Sequence, residues 1–461
     1  MVDPRDGSRR VDVSIRVRDG AIASVSAFGA EDPSDGEWAV DGGGRFAVPG
    51  YNNMHTHALQ NERPELFLAT MLADGTTGMR QMAGSDDLLD VRGKSRLGMT
   101  RYAPVLLAMP GALLMPFNAN SVADVERLIA DQERQGADFV KVIDVDREVF
   151  FAAVNAAHGR GMRIAGHLPL SVTPTEAAVA GMDCIEHLGT GGNVWFQTSA
   201  DGAALRTEAD NVGTGRIPGW LGGLPFAEHL FSTDFVRQRV KKMLLNPALS
   251  DSAEMVSLLR RALDSFDEDA AQHLVGQFAR HKTWHTPTLV RLRTQYRADD
   301  PAYADHPWLS LLSDQDRHDF YETRGRFLDL PADTRATYHD CYDMSLRLVG
   351  MMHTAGVPIM AGTDGPSASP GQDMASEFRE LEAAGLRPLD VLRSATTVPA
   401  AYLNRTHDLG AIDVGFKADF LLLDADPVVS TGNLTQIAAV VRAGHLIPRE
   451  EIYSVVDQLV D

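Results

Sequence analysis

His55-Thr56-His57 follows an apolar stretch that ends in Pro49-Gly50, and Asp364 closes the run Ile359-Met360-Ala361-Gly362-Thr363-Asp364 much later in the chain. Lys141, His167 and His187 lie between them. Imidazoles and carboxylates are the side chains that hold divalent cations, and neutral imidazole suits zinc in particular. Side chains on a strand alternate between its faces, so His55 and His57 point the same way, as two ligands of one ion must. That spacing is a weak signal in a chain with 15 histidines, and its surroundings have to carry the argument.

The segment from Arg163 to His187 supplies those surroundings. Arg163-Ile164-Ala165-Gly166-His167 reads as a strand, Thr173-Pro174-Thr175-Glu176 starts a helix with proline at its first position, and Gly181 ends it before Cys184-Ile185-Glu186-His187. One strand–helix unit therefore separates two histidines, each at the carboxyl end of its strand, where barrel enzymes assemble their active sites. Either histidine alone reads as a hydrogen-bonded structural residue, whereas the pair reads as metal ligands. Lys141 stands inside Ala137-Asp138-Phe139-Val140-Lys141-Val142-Ile143, a strand too apolar to be an exposed edge. Two readings are open for it. It pairs with Asp138, Asp144 or Asp146, or it is a neutral amine that takes up carbon dioxide to form a carbamate able to bridge two cations. Asp364 precedes Gly365-Pro366. It is either a turn residue or a carboxylate at a metal, able to accept a proton from water and return it to a leaving amine.

The elements that must position these residues alternate along the chain. Strand-like runs end near Met82, Ala108, Ile143, His167, His187, Thr288 and Gly362, and helical patterns such as Val122 to Gln135 and Pro174 to Ala180 separate them. The reading is a (β/α)₈ TIM barrel over residues 49–407. At the amino end Val11 to Val25 alternates around Asp19-Gly20, a hairpin signal, with a further strand expected at Trp38 to Val40. Phe420 to Asp424 and Ile437 to Val441 read as strands at the other end, so residues 1–48 and 408–461 are expected to complete one small β-sandwich domain. Two stretches, at about 188–282 and 289–355, are long for barrel connections and are read as insertions. The first holds Trp195, Phe196 and Trp220 and helical patterns at Phe235 to Leu245 and Ala253 to Phe266, enough for a lid or for an ordinary helical layer. His285 is placed on the seventh strand, at the pocket or in the core. Arg216, Arg291 and Arg293 are candidates to hold a substrate carboxylate, and nothing in the sequence selects among them.

Composition sets the outer bounds. With 461 residues, 44% hydrophobic and 23% charged, the chain is long enough for one large barrel with a small companion. Its 43 basic and 63 acidic residues give a net charge of −20, which argues against nucleic acid and anionic membranes; a small-molecule substrate is the partner expected. Only Cys184 and Cys341 are present, too few for a disulfide framework or a thiolate site, and the amino end lacks a secretory apolar core, so a cytoplasmic location is expected. Tyr102 to Ala123 is uncharged but interrupted by prolines and asparagines, and reads as a buried strand and a loop. Self-association is left open.

The ordered set His55, His57, Lys141, His167, His187 and Asp364 resembles the amidohydrolase superfamily, over nearly the whole chain. Val48-Pro49-Gly50, Gly410-Ala411-Ile412 and Gly415-Phe416-Lys417-Ala418-Asp419-Phe420 are similar to the stretches flanking that family's barrel. The set most resembles the imidazolonepropionase-like branch that includes Xaa-Pro dipeptidases. The resemblance implies a first zinc at His55, His57 and Asp364, and a second at His167 and His187. Carboxylated Lys141 and a hydroxide would bridge them, and Asp364 would shuttle the proton during cleavage of an amide in a dipeptide or N-acyl amino acid. A lactonase or esterase with the same site is the near alternative. A mononuclear deaminase would leave Lys141 unexplained, and a non-catalytic barrel scaffold would have no need of all six residues. One departure is Asn53, where the family commonly has Asp two residues before the first histidine.

Overall fold

The computed structural model describes residues 1–30, 38–94, 97, 99–212, 245–365 and 373–460. Its centre is a (β/α)₈ barrel. Strands β4 (Tyr51–Thr56), β5 (Thr76–Gln81) and β6 (Val105–Ala108) pair in parallel, as do β7 (Phe139–Val142), β8 (Arg163–Gly166), β9 (Cys184–Glu186) and β10 (Trp284–Thr286). Bridges from Pro110 to Phe139 and from Leu114 to Val142 join the two groups. The eighth position is held by the extended segment at 358–365, which bridges His285 through Ile359 and Thr56 through Gly365. The Met54 N–H donates to the Ala361 carbonyl at 2.9 Å and closes the ring. Every residue of β4, β5 and β7 is buried, as expected for parallel strands covered on both faces.

Local chemistry explains the elements nearest the candidate ligands. Thr173 and Glu176 form a reciprocal capping box at the start of the helix Pro174–Ala180, and Gly181 ends it at φ 96°. Two glycines are needed for close approach. A Cβ on Gly166, just before His167, would lie 2.1 Å from the Val142 carbonyl oxygen, and one on Gly362 would lie 2.8 Å from the His55 Cβ. Small residues at these points let neighbouring strands carry their ligands close together.

At the chain ends, β1 (Val13–Arg18) and β2 (Ala21–Ala27) form the expected hairpin. Asp19 and Gly20 are both left-handed, at φ 53° and 74°, as a tight two-residue turn of this twist requires. A second sheet has the order β13-β12-β11-β3, with β3 at Phe46–Pro49, β11 at Phe420–Leu423, β12 at Ile437–Arg442 and β13 at His445–Pro448. Ile22, Ala47, Phe416, Ala418, Phe420 and Val441 form an apolar cluster against which Ile15, Val17 and Val25 pack, so the two sheets share a core.

Two expectations are corrected here. Trp38 to Val40 is not a strand, and Trp38 is 78% exposed. The carboxyl end is not all strand and turn, because Arg449–Val460 is a helix whose Val456 packs on Leu66 and Ala69 of the helix Pro64–Ala73. Arg216, Trp220 and nearly all of the helical pattern at Phe235 to Leu245 lie outside the described residues. No helix among the described residues is long and apolar enough to cross a membrane.

Candidate metal centre

His55 is the penultimate residue of β4 and His57 directly follows the strand, and the Nε2 atoms of both lie 3.1 Å from Oδ1 of Asp364. The alternation of a strand puts two imidazoles on one side, and closure of the barrel delivers the carboxylate to them. His187 Nε2 is 4.0 Å from the other oxygen, Oδ2, and donor atoms of His55, His187 and Asp364 all fall within 4.8 Å of one another. The His167 ring lies against that of His187, with centroids 5.2 Å apart. Lys141 is 1% exposed, and its Nζ has no hydrogen-bond partner. Its charge acts on both His167 and His187, so all six candidates share one electrostatic neighbourhood.

Among the described residues Lys141 forms no ion pair, with Asp138, Asp144 or Asp146 or any other carboxylate. Asp138 pairs with Arg92 and accepts from the Met109 N–H, and Asp146 stands at the start of the helix Arg147–His158. Burial pulls the Lys141 ammonium down to about 8, against the opposing pull of Glu186 and Asp364. Near neutral pH this leaves two to three orders of magnitude more free amine than an ordinary lysine, on the order of one power of ten per pH unit of displacement. Burial likewise holds His167 and His187 well below the usual histidine range, so both are neutral and able to offer a lone pair. Burial alone would raise the Asp364 carboxyl, but His187 and His55 outweigh it and keep it ionised.

Supporting contacts fix which nitrogen faces the cleft. His55 Nδ1 lies 2.7 Å from Oε2 of Glu186, whose Oε1 takes a 2.7 Å ion pair from Arg80. Arg80 and Glu186 are both fully buried inside the barrel, and the Arg80 Nε also donates to the Met54 carbonyl. A proton held between His55 Nδ1 and Glu186 leaves Nε2 free to bind. Thr288 does the same for His187. Its hydroxyl donates to the Pro287 carbonyl, so it must accept from His187 Nδ1, which again leaves Nε2 bare. His187, Thr288 and Asp364 are non-glycine residues at φ 52°, 47° and 56°, a strained backbone region held at the ends of three strands.

Asn53 has a defined place. Its Oδ1 accepts from the N–H groups of His55 and Thr363 at 3.2 Å each, and its Nδ2 donates to the Thr363 hydroxyl at 2.9 Å. An ionised Asp could not make that last bond. Here the amide stitches the His55 strand to the segment carrying Asp364.

Of the candidates for substrate contact among the described residues, Arg291 reaches the centre, with Nε 3.1 Å from Asp364 Oδ2. Arg293 instead pairs with Asp300 and Glu380. His285 does not line the cleft. It faces outward against the Phe278 ring at 4.4 Å, 1% exposed, and burial lowers it to about 3. Arg80, Glu186 and Thr288 were missed in the sequence. For Glu186, in Cys184-Ile185-Glu186, the signal applied to Lys141, a charge inside an apolar strand, was present, whereas the strand around Arg80, Thr76–Gln81, is largely polar and gave no such signal.

The fit to cations follows from this donor set. Imidazole nitrogens of His55 and His187 and the Asp364 carboxylate converge closely enough for a divalent ion to satisfy them.

Comparison with known proteins finds likeness in a segment of the sequence and in the fold. The amidohydrolase family model matches residues 344–447, which include Asp364. Uncharacterized proteins of Mycobacterium tuberculosis and Mycobacterium bovis are 26% identical over 202 residues, 39% of this chain and 52% of theirs, so the match spans about half the length of these relatives. Among solved structures, a bottromycin amidohydrolase superposes with a TM-score of 0.67 at 21% identity, covering 98% of this chain and 86% of that one. A Xaa-Pro dipeptidase with bound methionine gives 0.56 at 16%, covering 95% of each. Aspergillus niger ochratoxinase gives 0.57 at 14%, covering 97% and 93%. The family model thus matches one segment of the chain, and the likeness to these solved structures shows a barrel fold shared over the full length.

Proposed function

We propose that the protein is a binuclear metal-dependent hydrolase of amide bonds in small substrates, dipeptides or N-acyl amino acids. The observation that carries this reading is the Asp364 carboxylate, set with one oxygen between His55 and His57 and the other toward His187. His55, His57 and Asp364 would hold one ion, His167 and His187 the other, and Lys141, carboxylated by carbon dioxide, would bridge them. Zinc is the metal the donors favour. Two such ions would polarise the amide carbonyl and lower the proton affinity of a water molecule at neutral pH.

The chain's own groups do the rest. Asp364 takes the proton released by water, holds it at Oδ2, and passes it to the departing nitrogen, which cannot leave as an anion. Glu186 and Thr288 keep His55 and His187 in the tautomer that presents Nε2. The similarity in fold to a Xaa-Pro dipeptidase and a bottromycin amidohydrolase supports an amide rather than an ester as the scissile bond. Buried, unbridged Cys184 and Cys341 support a cytoplasmic location.

Metal analysis of the purified protein should find about two divalent ions per chain. A library of dipeptides and N-acyl amino acids should then yield free amino acid products that chelation abolishes and zinc restores. Failure to bind metal after reconstitution would sink the reading.

A further inference from the structure

We propose that Arg291 is a positioning residue for Asp364 rather than a holder of substrate, and that the helix Leu289–Tyr296 sets the orientation of both Asp364 and His187. This deepens the reading above and rests on it.

Arg291 is held against the centre. Its Nε sits 3.1 Å from Asp364 Oδ2, and its Nη1 donates to the Leu245 carbonyl at 2.9 Å. The side chain is 10% exposed. Asp364 needs such a partner. It follows a strand-like segment in a left-handed backbone conformation at φ 56°, and its two oxygens face different neighbours. Oδ1 is set between His55 and His57 and Oδ2 faces Arg291, with His187 4.0 Å away. Without the guanidinium, rotation about the carboxylate bond is free to turn Oδ2 toward His187, and the atom that holds the transferred proton loses its fixed direction.

The arginine is itself held on a rigid element. Glu377, fully buried on the helix Met374–Ala383, accepts from the Val290 N–H at 2.8 Å, at the start of the arginine's helix. Asn246 donates from Nδ2 to the Gln295 carbonyl near the other end. Thr288, just before the same helix, orients His187 through Nδ1. One two-turn helix thus carries both the partner of the carboxylate and the partner of a histidine expected to serve the other ion.

Cobalt(II) reports on this directly, because its visible absorption depends on ligand geometry. Wild-type protein, Arg291→Gln, Arg291→Lys and the neighbouring Arg293→Gln should be stripped, loaded with cobalt(II) and compared by spectrum and by turnover of a dipeptide that the wild type cleaves. Arg291→Gln is expected to keep about two cobalt ions per chain, to change band shape, and to lose about 10–100-fold in kcat with KM within about twofold. Arg291→Lys should recover part of the loss, and Arg293→Gln should match the wild type. Thermal melting identifies a variant that fails to fold, in which case Arg291→Lys decides. A rise in KM with unchanged kcat would make Arg291 a substrate holder, and loss of one ion would make it a metal-retention residue. Identical spectra and kinetics would leave it no role. Each overturns the inference alone. A wild type that takes up no cobalt would overturn the metal reading, and this inference with it.

Discussion

Replacing Lys141 with methionine should stabilise the metal-free protein while removing its ability to hold two ions. Lys141 is 1% exposed, its Nζ has no hydrogen-bond partner, and burial lowers it from 10.5 to about 8. Between those two values the folded chain binds fewer protons than the unfolded chain, so stability rises as pH climbs from 8 to 10.5. Below pH 8 the folded state carries the whole cost of burying the amine. At about 1.4 kcal/mol per pH unit of displacement this cost is roughly 3 kcal/mol. Methionine has a similar length and no charge, so Lys141→Met should raise the unfolding free energy by up to about 3 kcal/mol at pH 7 and by progressively less toward pH 10.5. Urea denaturation in chelator and carbon dioxide-free buffer, at pH 7 and pH 10, measures it. A structural ion pair would give the opposite sign, since breaking one costs about 3–5 kcal/mol. A variant less stable than wild type at pH 7 would therefore refute the reasoning, as would a gain that grows with pH. In the same variant, metal analysis should find fewer than two ions, and hydrolysis should be lost.

The Arg80–Glu186 pair is buried on both sides, so Glu186→Gln strands a guanidinium and should cost about 3–5 kcal/mol in chemical denaturation. It also loosens the His55 tautomer, and metal titration should show about 10–100-fold weaker binding. Asp364→Asn keeps the shape but cannot carry the proton, and kcat should fall about 10²–10⁴-fold with the melting profile preserved. Burial raises the Glu377 carboxyl to about 8, above its ordinary 4.5. The folded state then binds the extra proton between these values, so this residue's contribution to stability declines as pH rises from about 5 to 8. Glu377→Gln should abolish that decline, and urea midpoints that run parallel for the two proteins from pH 5 to 8 would contradict it.

Much of the centre was legible because its signals are local. His55 and His57 alternate across the end of one strand, His167 and His187 directly follow successive strands, and Asp19-Gly20 demands a left-handed turn. Each depends on a few adjacent residues. The carboxyl-terminal helix was missed because β11 and β12 dominated the reading of that end, although Ile452 and Val456 lie one helical turn apart on a buried face. Trp38 to Val40 was over-read because a short apolar alternation cannot reveal whether a partner strand exists. The eighth barrel position was expected near Gly362 and is filled by an extended segment held through isolated bridges.

The amino-acid sequence determined the repertoire, which is four histidines, an aspartate and a lysine in an order that alternating strands and helices would carry to one end of a barrel. Only the tertiary structure decided which groups meet: Arg80 with Glu186, Thr288 with His187, and Arg291, rather than Arg293, with Asp364. The reason is physical. A strand or helix is specified by residues a few positions apart, whereas these contacts form only when barrel closure brings distant strands within hydrogen-bond reach and excludes the water that would otherwise satisfy each charge alone.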